Sequence, residues 1–78
     1  MLPTVGRIVI YKLGPGDDEA NSNFAEELPA VIVRVWNPTE DGAVNLKILN
    51  DGPEDLWKTS VVRGDNPGEW NWPKRVDE

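Results

Sequence analysis

The sequence predicts a small all-β domain, and three observations carry the prediction. Several segments of strand length are rich in β-branched and aromatic residues, the breaks between them are built from Gly, Pro, Asn and Asp, and helical spacing of apolar residues is absent apart from a possible single turn near Asn23 to Leu28. At 78 residues the chain is read as one domain. In this size range a single core supplies only about 3–5 kcal/mol of net stability, and self-association commonly adds to it.

Thr4 to Leu13 interleaves two charges among β-branched and aromatic residues and reads as the first strand. Gly14-Pro15-Gly16 breaks it, and an acidic loop spanning 14–27 follows, with Phe24 expected to pin it to the body. Leu28 to Trp36 sets Val31, Val33 and Val35 on one face against Ile32, Arg34 and Trp36 on the other. Asn37 to Gly42 supplies a turn. Ala43 to Asn50 then alternates Val44, Leu46 and Ile48 against Asn45, Lys47 and Asn50, so the two segments read as a hairpin. After the turn Asp51 to Asp55, Leu56 to Val62 is a fourth strand. Arg63 to Gly68 turns again, and Glu69 to Val76 is a short last strand that Pro73 confines to an edge, with 74–78 frayed.

Five short strands, with one long loop after the first and tight turns thereafter, most economically close into a five-stranded antiparallel, partly open barrel of SH3-like order. A flat meander is the alternative. The expected core is Val5, Ile8, Ile10, Val31, Val33, Val35, Val44, Leu46 and Ile48.

Composition narrows the chemistry. The absence of cysteine and histidine removes disulfides, thiolate nucleophiles, zinc ribbons and imidazole bases. A net charge of −6 opposes a phosphate backbone, so a nucleic acid polymer is not an expected partner. No apolar run approaches the roughly 20 residues needed to cross a bilayer, and the opening Met-Leu-Pro-Thr lacks the features of an export signal.

Asp17-Asp18-Glu19 with Asn21 and Asn23 lacks the spacing of a calcium loop. Glu40-Asp41 and Glu54-Asp55 read as turn residues, not as a catalytic carboxylate pair, and Gly14-Pro15-Gly16 lacks the ending of a phosphate loop. The chain is therefore expected to be no enzyme and to need no cofactor or metal.

The four tryptophans are the remaining signal. Each buries a large apolar area or offers a stacking surface, and Trp70 and Trp72 share one side of an extended segment. At least two are expected to close the barrel. If the others form a nucleotide-binding site, it should combine Trp57 with Lys58, Ser60 or Arg63, where a stacking surface and phosphate partners occur together, completed by Trp36, Trp70 or Trp72. Trp57 would approach Trp70 or Trp72 across a strand pair. Arg34 is expected to point outward and to lay its side chain on Trp36 or Tyr11.

The strings Pro29-Ala30-Val31-Ile32-Val33-Arg34-Val35-Trp36-Asn37-Pro38, Gly42-Ala43-Val44-Asn45-Leu46, Asp51-Gly52, Trp57-Lys58-Thr59-Ser60 and Pro67-Gly68-Glu69-Trp70-Asn71-Trp72-Pro73, with the opening Val5-Gly6-Arg7-Ile8-Val9-Ile10-Tyr11, resemble a group of small hypothetical proteins of tailed phages and prophages. The resemblance covers most of the chain outside the loop from Gly14 to Glu27. It implies a setting in the host cell cytoplasm during infection, or in the virion, and carries no catalytic residues.

Together these readings give a noncatalytic binding module acting against a host factor, by sequestering a nucleotide signal or by occupying a host protein, and forming a homo-oligomer. The alternative is a minor virion component such as a decoration or head–tail protein. An acidic mimic of DNA fits less well, because the carboxylates cluster in turns.

Overall fold

The computed structural model describes residues 1–14, 26–52 and 54–74. Five antiparallel strands, β1 (Ile8–Lys12), β2 (Glu27–Val35), β3 (Val44–Ile48), β4 (Leu56–Val61) and β5 (Trp70–Asn71), form one sheet in the order β4-β3-β2-β1-β5. There is no helix among the described residues, and hence none long and apolar enough to cross a membrane. The strand order and the curl of the sheet are those of a small SH3-like half-barrel, as the sequence predicts.

The sheet curls so that β5, at one end of the strand order, meets the chain that leaves β4 at the other. On one side β5 pairs with β1 through Ile10 to Asn71 and Tyr11 to Trp70. On the other, Trp70 N donates to Val62 O at 3.1 Å and Gly64 N to Trp70 O at 2.9 Å, so the chain just beyond β4 closes on β5 through an isolated parallel bridge. Closure of this kind removes part of two exposed edges.

Residues facing the inside are Val9 and Tyr11 of β1, Leu28, Ala30 and Ile32 of β2, Val44, Leu46 and Ile48 of β3, Val61 of β4 and Trp70 of β5, all buried in one cluster. Cross-strand pairs tie them together: Val9 to Ala30, Tyr11 to Leu28, Ala30 to Ile48, Ile32 to Leu46 and Val44 to Val61. Trp72 packs against the cluster, its ring edge-on to Trp70 with centroids 5.3 Å apart. Two tryptophans thus fill the body.

The expected core needs correction in β1 and β2. Val44, Leu46 and Ile48 are buried, but Val5, Ile8 and Val33 are exposed, and Ile10, Val31 and Val35 are half-buried. In both strands the opposite phase turns inward. β2 is apolar on both faces, so alternation alone does not select the core side, and a slip of one residue exchanges the faces. A bulge then resets the phase within the strand. Ile32 pairs with Leu46 but Arg34 pairs with Asn45, which leaves Val33 as an extra residue and returns Val35 to the inner side opposite Val44.

Strand boundaries are shorter than expected at the ends: β1 opens at Ile8 and β5 closes at Asn71. β2 starts at Glu27, so Glu27 and Leu28 belong to a strand and not to a helical turn. Phe24, Asn23 and most of the acidic loop lie outside the described residues, as does the tail beyond Lys74. The turn before β3 depends on Gly42, whose Cβ, if present, would overlap the carbonyl oxygen of Asn37.

Candidate functional site

The outer face of the sheet carries the exposed aromatic residues, and register places them. Ile8 pairs with Val31, Val31 with Lys47 and Lys47 with Trp57, giving one cross-strand row over β1, β2, β3 and β4. Directly paired residues share a face. Three of the four are apolar, and Ile8 and Trp57 are 47% and 58% exposed. Isolated apolar residues at a surface are ordinary; here Ile8 and Val31 are direct neighbours, and Lys47 stands between them and Trp57.

Beyond this row, Asn45 sits between two bulges. On the β2 side the shift at Val33 places Arg34 opposite Asn45. On the β4 side Val44 pairs with Val61 and Leu46 with Lys58, so Thr59 and Ser60 together oppose Asn45 alone. Ser60 takes a φ of 56°, a left-handed conformation that costs a non-glycine residue free energy and that the surrounding structure must hold. The hold is visible: Asn45 Oδ1 accepts from Ser60 N at 3.0 Å and from Trp36 Nε1 at 2.7 Å. Asn45 is only 7% exposed, the one buried polar side chain among the described residues.

Trp36 is 50% exposed but not loose. Its Nε1 is tied to Asn45, and the Arg34 guanidinium carbon lies 3.8 Å from the ring centroid, the cation–π arrangement expected from the sequence. One indole edge and one indole face are therefore already organised.

The predicted site does not assemble as one cluster. Trp57 lies on the outer face opposite Lys47, whereas Lys58 pairs with Leu46 and is half-buried on the other side of the strand. Ser60 is the bulge residue. Arg63 is six residues from Trp57, roughly 20 Å of extended chain, and its Nε donates to Asn71 Oδ1 at 3.1 Å. Asn71 Nδ2 in turn donates to Asp65 Oδ1 at 2.8 Å, and Trp72 N donates to Asn71 Oδ1 at 2.9 Å, so Arg63 clamps β5 to the turn before it.

Trp70 is fully buried and cannot offer a stacking face, which corrects its placement among the contact residues. Nor is it paired with Trp57: its cross-strand partners are Tyr11 of β1 and, just beyond β4, Arg63, and the indole it meets is Trp72. Trp72 is half-buried and borders an open groove of about 600 Å³ that Lys12, Glu27, Asp65, Glu69 and Lys74 also line. Three carboxylates against two ammonium groups make it a poor phosphate site. Neither Trp36 nor Trp57 lines this groove.

Sequence reasoning missed Asn45 and Lys47. The signal for Asn45 was present as a polar residue between two core positions of a short strand, but its role depends on two bulges that alternation does not reveal. Comparison with protein-family models, curated proteins and solved structures found no match to this chain.

Proposed function

We propose that this protein is a noncatalytic binding module, encoded by a phage and acting inside the host cell by occupying a host protein. The observation that carries this reading is the pre-organised, half-exposed Trp36, bonded through Nε1 to Asn45 and stacked by Arg34 on the same outer face as Trp57. Tryptophan and arginine dominate the energetics of protein contacts, and an aromatic held in place before binding loses less entropy on association. Small-molecule sites are concave. Trp36 stands on an outer sheet face instead, which favours a protein surface over the nucleotide signal as the thing bound. The phage setting rests on the resemblance of the Pro29 to Pro38, Trp57 to Ser60 and Pro67 to Pro73 strings.

A photo-crosslinking amino acid placed at Thr39, in the exposed turn next to Trp36, tests the reading in infected cells. A host-protein adduct that is lost when Trp36→Ala and Arg34→Ala are added is the expected result. An adduct only with phage structural proteins would favour the virion alternative, and no Trp36-dependent adduct would overturn both.

A further inference from the structure

We infer that the row Ile8, Val31, Lys47 and Trp57 is covered by a second copy of this chain, in a face-to-face dimer whose two-fold axis runs parallel to the strands between β2 and β3. This inference is independent of the host target proposed above, since it concerns a different row of the same face.

The first argument is the composition of β2. Leu28, Ala30 and Ile32 fill the core, yet Pro29, Val31 and Val33 on the other side are apolar too. An antiparallel sheet with one face in water ordinarily alternates apolar and polar residues, and β2 departs from that pattern on its outer side. The described residues cover only one face, since the outward side chains of β2 are left exposed or half-buried.

The second argument is charge. The chain carries a net charge of −6, so two copies repel unless their contact avoids carboxylates. The described carboxylates lie at strand ends and in turns: Glu26 and Glu27, Glu40 and Asp41, Asp51, Glu54 and Asp55, Asp65 and Glu69. The row from Ile8 to Trp57 contains none. It is the strip through which two acidic copies meet at least electrostatic cost.

The third argument selects the axis. Stacked sheets pack with their strands nearly aligned, about 30° apart. An axis running along the row would set Lys47 over its own copy and bring two ammonium groups together in a closing interface. An axis parallel to the strands inverts the order of the row instead. Trp57 then covers Ile8 of the other copy, and the aliphatic stem of Lys47 lies along Val31 of the other copy with its ammonium group free to reach water. An isologous contact requires this self-complementarity. Because the axis parallels the strands, like ends meet, and both Trp36–Arg34 stacks lie at one end of the pair, on its rim.

Sedimentation equilibrium from micromolar to millimolar protein, at physiological salt, is the first measurement. A species of twice 8.7 kDa is expected, and Trp57→Asp or Ile8→Asp should halve the mass while leaving the circular dichroism spectrum unchanged. Using two substitutions guards against one of them failing to fold. The axis is tested with a short bismaleimide on cysteine variants, since the chain has no cysteine of its own. A mixture of Ile8→Cys and Trp57→Cys proteins should crosslink into a mixed dimer far more than Lys47→Cys protein crosslinks to itself. An 8.7 kDa species at every concentration, a dimer indifferent to both Asp variants, or dominant Lys47→Cys self-crosslinking would each overturn the inference. A monomer that still gives the Trp36-dependent host adduct would remove the dimer and leave the binding role standing.

Discussion

Trp36 and Asn45, nine residues apart in sequence, meet on the outer face of the sheet, where the indole Nε1 donates to Asn45 Oδ1 at 2.7 Å. The same oxygen accepts from the backbone of Ser60 at 3.0 Å. One amide oxygen therefore joins the end of β2 to the bulge of β4 across β3, and it ties an exposed aromatic to the one left-handed backbone position among the described non-glycine residues.

Asn45→Leu removes the acceptor from both donors at once. Each hydrogen bond lost in this part-buried site costs about 0.5–1.5 kcal/mol, and for a domain of this size each kcal/mol lowers the melting temperature by about 4–8 °C. Thermal melting should show that drop, and the fluorescence of Trp36 should shift as its Nε1 partner is lost. Asn45→Asp keeps an acceptor oxygen and should retain more of the stability. An Asn45→Leu protein melting with the wild type would show that the oxygen holds nothing.

Adjacent residues of β2 should respond oppositely to the same substitution. Ile32 is fully buried and pairs with Leu46 in the core, whereas Val33 is 40% exposed at the bulge. Ile32→Asp should abolish folding, because an unpaired buried carboxylate costs several kcal/mol against a net stability of about 3–5 kcal/mol. Val33→Asp, which the sequence-derived core would make lethal, should fold. Circular dichroism of the two proteins decides it, and the inward phase assigned to β2 fails if Val33→Asp is the one that unfolds.

Ser60 at a φ of 56° pays a conformational cost that glycine does not. Ser60→Gly should melt at or above the wild type even though glycine loses more entropy on folding. Ser60→Val should melt several degrees lower, since a β-branched residue is a genuine outlier in that region. If Val and Gly variants melt together, the left-handed bulge is not what Ser60 maintains.

The tryptophans should separate into two classes by substitution. Trp70→Ala removes the largest fully buried side chain, a loss of about 3–5 kcal/mol that matches the whole margin of so small a domain, and the protein should not fold. Trp57→Ala, measured at a concentration where sedimentation shows the monomer, should change stability by no more than about 0.5 kcal/mol. Chemical denaturation of both variants checks the division, and equal effects would contradict it.

Much of the architecture was legible in the residues. The turn chemistry of Asn37 to Gly42 and Asp51 to Asp55 divides the chain into short strands, and β3 shows its inner side openly because Asn45 and Lys47 alternate with Val44, Leu46 and Ile48. The outward Arg34 on Trp36 was readable for the same reason: a guanidinium among aliphatic residues turns to water and stacks on the nearest exposed ring.

Sequence alone therefore determined the fold class, the hairpins and the core side of β3, since each follows from local pattern and turn geometry. Only the tertiary structure decided which face of β1 and β2 turns inward, because both faces of β2 are apolar and the choice is made by what packs opposite: Leu46 and Ile48 from β3, and Trp70 from β5. It also decided the fate of the aromatic residues. Trp70 is core and Trp57 is surface because β5 crosses to pair with β1, and the site around Asn45 exists because two bulges on different strands fall at one level of the sheet. Pairings between distant segments set both outcomes, and such pairings leave no periodic trace in the chain.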